Sequence, residues 1–497
     1  MKNVLRRLEK SNNFWILLAL SFAFFLLRLP SLAEPHWYGD EGIYQVIGMA
    51  IRRGRILYTG IWDNKPPLLY LIYAIFDGNQ FWVRTFSLLV GILTVIAFYF
   101  LAQLLFRKRA TTLWTTALFG FLLATPFLEG NIANAENFLL LPVISAAFIF
   151  LTTTKRRKPR LLLFLSGLLL GLAFITKVVA VFDLSGLIVF AYLLSVQDKN
   201  KGRLSYIGTV LQMFRRYRLF AAGFLVPLVF TCLYFLSVQA ITPFINATFF
   251  SNIGYVGYGN HFLFPQGLLV VKLILLIGFL ACLFLKRNYL SDTTLFILVW
   301  LAFSLFNAFF SERPYTHYIL VLLPSFILFI GWIFSSENRQ GRIVRLISGL
   351  LLLGLVFYNF HIPTVNSVTS YYANYLAFVT GNKSVTSYQS SFDKRTPEVY
   401  NLALFIKMHT TDKDSVFVWG NSAQIYVLSG ILPPGRFTVA YHVIGNSQHV
   451  RETALAVYKA YPKYIITLDN VPYLPFQING YRQTYATDNA LIYERSN

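Results

Sequence analysis

The chain has 497 residues, of which 56% are hydrophobic and 13% are charged, whereas about 25% are charged in an ordinary soluble domain. Its mean hydropathy of +0.56 excludes a soluble enzyme, a disordered segment and a coiled coil. The only two cysteines lie in apolar runs, which excludes a disulfide scaffold and a thiolate metal site. These features predict a polytopic membrane protein.

The net charge of +22 comes from 43 basic and 21 acidic residues. Nucleic-acid binding requires a continuous basic face with interleaved aromatic residues, and the sequence contains none. The basic residues instead form short clusters between apolar runs, a pattern typical of cytoplasmic loops. The clusters are Arg6-Arg7, Arg107-Lys108-Arg109, Lys155-Arg156-Arg157-Lys158, Arg215-Arg216 and Lys286-Arg287. The charge therefore predicts membrane topology and no nucleic-acid partner.

Eleven apolar runs are candidate membrane-spanning helices, since about 18 or more residues cross a hydrocarbon core of ~30 Å. They are 13–32, 81–106, 110–127, 137–154, 161–178, 183–197, 219–239, 267–285, 291–310, 317–335 and 343–360. With a cytoplasmic N-terminus, eleven crossings place the basic clusters inside and the C-terminal segment outside. The first run is too long for a signal peptide, so we expect a retained anchor.

The remaining segments differ in composition from these runs. Residues 66–76 are too few to span, which predicts an interfacial or re-entrant helix. Residues 361–497 are predicted to form a small extracytoplasmic α/β domain that follows a transmembrane domain of residues 1–360. Its expected strands are 415–419, 463–468 and 490–494, and its expected helices are 397–410 and 447–461. The chain contains no nucleotide-cradling glycine motif, which argues against ATP-driven transport.

The carboxylates of the membrane part concentrate on its predicted outer side, chiefly in loops 33–80 and 128–137. In the first loop, Gly39 and Gly42 bracket Asp40 and Glu41, and the residues that follow have helical spacing. This pattern predicts a helix along the membrane surface with the two acids in its first turn. Two interpretations of these acids remain open. They either stabilise the start of the helix, where the helix dipole favours negative charge, or act as a catalytic pair.

The motifs of this loop resemble those of GT-C glycosyltransferases. They read Asp40-Glu41-Gly42-Ile43-Tyr44, Gly54-Arg55-Ile56-Leu57-Tyr58 and Trp62-Asp63-Asn64-Lys65-Pro66-Pro67-Leu68. Later segments also resemble the family, namely Phe81-Trp82-Val83-Arg84, Asn134-Ala135-Glu136-Asn137 and Tyr315-Thr316-His317-Tyr318. The chain looks most similar to the bacterial branch of the protein mannosyltransferase superfamily, which comprises glycosyltransferase family 39 and the aminoarabinose transferases acting on lipid A.

The resemblance implies a polytopic α-helical, GT-C-like fold with about eleven transmembrane helices and a small extracytoplasmic α/β domain. Similar enzymes move a sugar from a polyprenyl-phosphate carrier to an acceptor outside the cytoplasm, usually with inversion. The expected partners are therefore this donor, a glycan, lipid or protein acceptor, and membrane lipids. The expected location is the plasma or inner membrane.

The resemblance also implies roles for individual residues. Asp40 is the expected base, and Lys65 is expected at the donor phosphate together with Arg313, His317 and Tyr318. Glu41 and Glu136 are expected to support the acceptor or a metal, and Tyr44, Tyr58 and Trp62 to contact the sugar. Asp63 and Arg84 are expected to support the loop. No cofactor is certain, and a divalent Mg or Mn ion at the carboxylates is left open.

Three other functions remain as alternatives. A lipid or sugar transporter or flippase would show inverted repeats and ionisable residues near the middle of its spans. The sequence shows no such repeat, and most of its ionisable residues lie at the ends of the predicted spans. An O-antigen ligase or polymerase-like enzyme would rely on a late outer loop rich in Arg and His. Residues 240–265 contain only His261 and no arginine. The third alternative is a non-catalytic scaffold.

Overall fold

The computed structural model describes residues 12–156, 161–197, 206–253, 256, 260–263, 266–335 and 339–496. The basic residues Arg6-Arg7 and Arg157-Lys158, on which the predicted topology partly depends, lie outside the described residues. The chain divides into two compact units. The helical unit comprises Met1–Leu29, Phe86–Thr231 and Asn252–Val368. The mixed unit comprises Pro30–Thr85, Cys232–Ser251 and Thr369–Asn497, so the first predicted outer loop groups with the C-terminal segment.

The secondary structure is mainly helical. In chain order the helices are α1 (Asn12–Arg28), α2 (Gly39–Arg52), α3 (Pro67–Ile75), α4 (Gln80–Leu105), α5 (Arg109–Ala124), α6 (Ala135–Arg156), α7 (Leu161–Thr176), α8 (Val181–Gln197), α9 (Tyr206–Ser237), α10 (Ile241–Ile245), α11 (Gly267–Lys286), α12 (Asp292–Ala308), α13 (Leu323–Ser335), α14 (Arg339–Asn359), α15 (Val365–Val379), α16 (Val385–Ser390), α17 (Thr396–His409), α18 (Gln424–Ser429) and α19 (Ser447–Ala460). The strands are β1 (Val416–Trp419), β2 (Tyr464–Leu468), β3 (Tyr481–Ala486) and β4 (Ala490–Arg495).

Each of the eleven apolar runs predicted from the sequence overlaps one of these helices. Six described segments are long and apolar enough to cross a membrane by length and composition. They are Asn13–Leu32, Gln80–Leu105, Ala135–Thr154, Val178–Gln197, Val210–Ser237 and Gly267–Tyr289. Four shorter apolar helices, of 10–17 residues, accompany them. The number of crossings and the side of each loop stay predictions.

The core of the helical unit is built from large apolar side chains on several helices. Phe98 of α4 stacks on Phe119 of α5 with ring centroids 4.1 Å apart. At Gly167 of α7, a Cβ would lie 1.9 Å from the carbonyl oxygen of Phe220 on α9. Only glycine permits this approach, and small residues at crossings are how membrane helices pack closely when lipid supplies no hydrophobic drive.

In the mixed unit, α2 packs against α3 and α18, and its residues Glu41–Ala50 are all buried. At Gly48 a Cβ would lie 2.7 Å from the carbonyl carbon of Tyr73, so glycine allows α2 and α3 to meet closely. The acids do lie in the first turn of α2, as predicted. The position of α2 along the membrane surface stays a prediction, because burial within the protein does not fix how the helix lies relative to a bilayer.

The C-terminal part of the mixed unit contains a four-stranded sheet in the order β1-β2-β4-β3. β1 and β2 are parallel, with Val416 opposite Tyr464, and α19 lies between them in the chain. β4 runs antiparallel to both β2 and β3, with Ile466 opposite Ile492. The prediction of a small α/β domain at the C-terminus is therefore confirmed.

Candidate active site

Asp40 lies in the first turn of α2, where the helix dipole favours a negative charge. Tyr44, one turn later, donates a hydrogen bond from its hydroxyl to Asp40 Oδ2 at 2.9 Å. The Asp40 side chain keeps 34% of its surface exposed, whereas Tyr44 is buried. A carboxylate fixed on one side and open on the other can accept a proton from an incoming hydroxyl group.

Lys65 immediately precedes the two prolines that start α3. Its Nζ lies 3.7 Å from Asp40 Oδ2, 3.6 Å from Asp63 Oδ2 and 4.9 Å from the ring centroid of Tyr44. Both distances to oxygen exceed the 2.7–2.9 Å of a close charged hydrogen bond. The ammonium group therefore lies between two carboxylates without closing on either.

The backbone at Lys65 is held by two buried tyrosines. The hydroxyl of Tyr58 donates to the Lys65 carbonyl oxygen at 2.8 Å, and the Lys65 N–H donates to the hydroxyl oxygen of Tyr70 at 3.1 Å. The Tyr70 hydroxyl in turn donates to Asp63 Oδ2 at 2.7 Å. Burial raises the pKa of both tyrosine hydroxyls well above the usual range, so both stay protonated donors at neutral pH.

Arg84 holds two acids of the same loop in a buried ion-pair network. Its Nε donates to Glu41 Oε1 at 3.0 Å, and its Nη1 lies 2.9 Å from Glu34 Oε2. Nη1 also donates to the Ser31 carbonyl oxygen at 2.6 Å. The hydroxyl of Tyr371 also donates a hydrogen bond to Glu34 Oε1 at 2.6 Å. Glu41 therefore faces Arg84, whereas its neighbour Asp40 faces Lys65.

The three aromatic residues predicted to contact a sugar are all buried. Tyr44 is 1% exposed, Tyr58 is 0% exposed and Trp62 is 9% exposed. Tyr58 also adopts a left-handed backbone conformation with φ 71°, a strained geometry that other contacts must enforce. These three rings pack inside the protein. Their predicted contacts with a sugar therefore stay predictions.

His442, in the C-terminal segment, reaches the same cluster. Its Nε2 lies 3.5 Å from Asp63 Oδ1, and its ring packs edge-to-face on Trp62 at 4.9 Å between centroids. His449 also packs on Trp62, with ring centroids 5.6 Å apart, and its Nδ1 lies 2.8 Å from the His442 carbonyl oxygen. Sequence reasoning missed His442, since no local motif marks it.

Acidification is expected to destabilise the mixed unit through this histidine. Burial lowers the pKa of His442 to about 4, although the nearby Asp63 carboxylate opposes this shift. Between pH 6.5 and 4 the unfolded chain binds the proton and the folded chain does not, so the free energy of unfolding falls by up to about 3 kcal/mol as pH is lowered. Melting temperatures at pH 7.5 and pH 5 should differ more for wild type than for His442→Phe. Equal losses in the two proteins would contradict the assignment.

A second cluster of predicted residues lies in the helical unit. Glu136, in the first turn of α6, is 2% exposed and forms an ion pair with Lys177. His317 lies between two acids, with Nδ1 2.9 Å from Glu129 Oε2 and Nε2 3.9 Å from Glu136 Oε1. Lys177 Nζ also lies 4.6 Å from the ring centroid of Tyr318. The sequence singled out Glu136, His317 and Tyr318 but not Lys177 or Glu129.

The predicted residues thus fall into two clusters, one in each unit. In the mixed unit, Asp40, Tyr44, Asp63 and Lys65 come together. Arg313 is half-buried in the loop that leads into the 3-10 turn Thr316–Val321, which carries His317 and Tyr318.

The three acids considered for a metal role do not fit a divalent-cation site. Within the described ranges, no three His, Cys, Asp or Glu side chains converge as metal ligands. The three acids considered for this role each lie beside a basic side chain, with Asp40 next to Lys65, Glu41 next to Arg84 and Glu136 next to Lys177. A cation at any of them would have to displace an ammonium or guanidinium group.

Known proteins resemble this chain in both sequence and fold. Residues 65–216 match the profile of the family described as dolichyl-phosphate-mannose-protein mannosyltransferase. An uncharacterised protein of Aquifex aeolicus (strain VF5) is 30% identical over 195 residues, which cover 36% of this chain and 37% of that protein. ArnT from Cupriavidus metallidurans, solved with bound undecaprenyl phosphate, matches 97% of this chain and 98% of its own, with a TM-score of 0.58 and 15% identity.

The likeness to ArnT concerns the fold and extends along nearly the whole of both chains. It confirms the predicted GT-C-like, polytopic membrane architecture, with the apolar helices described above. The family match adds a sequence relationship that begins at Lys65 and continues through α3 to α8 into α9. The chain therefore has a GT-C-like fold, and its residues 65–216 resemble the protein mannosyltransferase family.

Proposed function

We propose that this protein is an inverting glycosyltransferase that moves a sugar from a polyprenyl-phosphate donor to a hydroxyl group of an extracytoplasmic acceptor. The observation that carries the proposal is the pairing of Asp40 with Lys65 at 3.7 Å. A base and a cation side by side, both partly exposed, suit a reaction in which one bond forms and a phosphate departs.

In the proposed reaction, the acceptor oxygen attacks C1 of the sugar while Asp40 takes the hydroxyl proton. The bond between C1 and the phosphate oxygen breaks, and its electron pair leaves with the lipid phosphate. Lys65 stabilises the negative charge that develops on this leaving group. Attack opposite the leaving group inverts the configuration at C1.

Support for a lipid-phosphate donor comes from two sources. The family match begins at Lys65, and the fold is shared with a protein that was solved with undecaprenyl phosphate bound. Long apolar helices provide the lipid environment that a polyprenyl chain requires. The acceptor is a glycan, a lipid or a protein.

The remaining residues receive supporting roles. Asp63 and the tyrosines Tyr58 and Tyr70 fix the position of Lys65, and Arg84 fixes Glu41 behind Asp40. In the helical unit, Lys177 and His317 lie beside Glu136 in a charged cluster of their own. These assignments rest on charge and burial, together with the motif resemblance.

Lys65→Ala is expected to weaken the binding of undecaprenyl phosphate by at least about tenfold, because a charged hydrogen bond to phosphate is lost. The measurement is the Kd of undecaprenyl phosphate for purified protein in detergent. Arg52→Ala is the matched control, since Arg52 is an exposed cation at the end of α2. Equal affinities for Lys65→Ala and wild type would remove Lys65 from the site. Flux of undecaprenyl phosphate across liposomes without sugar transfer would favour the flippase alternative.

A further inference from the structure

The helix that carries Asp40 has a start of low intrinsic stability. α2 begins at Gly39, and its fourth residue is a second glycine, Gly42. Glycine is among the least favourable residues in a helix, and the residue before the helix, Tyr38, is not one of the short polar residues that usually cap a helix start. The first turn of α2 therefore depends on contacts with the rest of the protein.

Gln424, the first residue of α18, supplies such a contact. Its Nε2 donates a hydrogen bond to the carbonyl oxygen of Tyr38 at 2.8 Å. The same oxygen accepts the N–H of Gly42 at 3.2 Å, which is the first hydrogen bond within the helix. Gln424 is 4% exposed, so water competes little for this bond. The side-chain amide thereby fixes the residue at which α2 begins.

Gly42 allows Gln424 to approach the helix. A Cβ at position 42 would lie 2.8 Å from Gln424 Cδ and 3.0 Å from its Nε2, well inside the usual distance between non-bonded atoms. At Gly39, in the same turn, a Cβ would meet nothing within 4 Å. The two glycines that flank the acids therefore differ in their surroundings, and only Gly42 lies against the C-terminal segment.

The short helix that carries Gln424 is itself fixed to the sheet of the mixed unit. The hydroxyl oxygen of Tyr426 accepts the N–H of Val418 on β1 at 2.8 Å, and Tyr426 is 1% exposed. A second bond joins the ends of the two helices, because Arg53 Nη2 donates to the Gly430 carbonyl oxygen at 2.9 Å. Gln424 thus holds the start of α2 from an element with its own anchors.

We propose that Gln424 is a positioning residue for Asp40, which holds the first turn of α2 so that the carboxylate stays directed at the acceptor hydroxyl. The proposal rests on the proposed function, because it assumes that Asp40 is the base. A misplacement of about 1 Å at a reacting group can lower a rate on the order of 100-fold. The proposal also gives Gly42 of the first-loop motif a role, which is to admit this side chain.

The test breaks the same hydrogen bond from each side. Gln424→Met keeps a side chain of similar length but removes the N–H, whereas Gly42→Ala keeps the glutamine and displaces its amide from Tyr38. Single-turnover release of polyprenyl phosphate from a labelled polyprenyl-phosphate sugar is measured, together with the Kd of undecaprenyl phosphate and the melting temperature in detergent. Gly39→Ala is the matched control, since it makes the same change in the same turn where the added Cβ meets nothing.

We expect Gln424→Met and Gly42→Ala each to lower release by about 10- to 100-fold, with the Kd of undecaprenyl phosphate within about threefold of wild type. Gly39→Ala should release at the wild-type rate. Because alanine is a better helix former than glycine, Gly42→Ala should lose release without losing melting temperature, which separates positioning from stability. The double variant Gly42→Ala, Gln424→Met should lose no more release than either single variant, because both break one bond.

Wild-type release in Gln424→Met would overturn the proposal, and so would losses that multiply in the double variant. A parallel loss of undecaprenyl phosphate binding in Gln424→Met would also overturn it, because the substitution would then damage the unit as a whole. If Asp40→Asn loses release while Gln424→Met retains it, only this inference fails. If wild type releases polyprenyl phosphate from no donor, the proposed function fails, and this inference fails with it.

Discussion

Asp40→Asn is expected to reduce the release of free polyprenyl phosphate from a labelled polyprenyl-phosphate sugar by about 10²- to 10⁴-fold, the usual contribution of a general base. Asparagine matches aspartate in size and still accepts the hydrogen bond from Tyr44. The variant should therefore fold like wild type and bind undecaprenyl phosphate while failing to take the acceptor proton. The measurement is single-turnover release by purified protein with a panel of donors and its acceptor.

The matched control for this substitution is Asp77→Asn. Asp77 is an exposed acid just after α3, in the same predicted outer loop, and its left-handed backbone with φ 50° suits asparagine as well as aspartate. Its release rate should equal that of wild type. Unchanged release in Asp40→Asn, with binding intact, would show that another group takes the proton.

Arg84→Met is expected to give the largest loss of stability, because it strands the carboxylates of Glu34 and Glu41 in a buried site. Removing one partner from a buried ion pair costs about 3–5 kcal/mol, since the remaining charge is no longer compensated. Here one guanidinium compensates two acids, so the loss should lie at the upper end. The measurement is thermal or denaturant unfolding of the purified protein in detergent.

The control for Arg84→Met removes the stranded charges as well. In the triple variant Glu34→Gln, Glu41→Gln, Arg84→Met, no buried carboxylate remains in the cluster, and Tyr371 can still donate to the residue at position 34. We expect this variant to recover much of the stability that Arg84→Met loses. If the triple variant is as unstable as the single one, the guanidinium acts through its packing and its bond to Ser31 rather than through charge.

The sequence predicted the helices well because apolar runs in a membrane protein leave few alternatives. Even the short run 183–197 corresponds to α8. In the C-terminal segment, β1, β2 and β4 match the predicted strands, but β3 was missed. Residues Tyr481–Ala486 form an exposed edge strand with a bulge between Gln483 and Tyr485, so they lack the alternation of a half-buried strand.

In the site, too, contacts between residues close in sequence were predictable, and contacts between residues far apart in sequence were not. The proximity of Asp40, Asp63 and Lys65 follows from motifs that the sequence places within 26 residues of one another. The contacts of Tyr371 with Glu34 and of His442 with Asp63 join residues 337 and 379 positions apart, and neither has a motif. The burial of Tyr58 and Trp62 was also invisible in the sequence, because exposure depends on which distant segment covers the ring.

The backbone N–H of Trp62 donates a hydrogen bond to the carbonyl oxygen of Arg436, so this contact can form only after residue 436 has been synthesised. At about 5–20 residues per second, the ribosome needs roughly 20–75 s to travel from the first partner to the second. During that interval the Trp62 ring lacks its contacts with Phe437, His442 and His449. The packing of the C-terminal segment on this loop is therefore a late step of folding during synthesis.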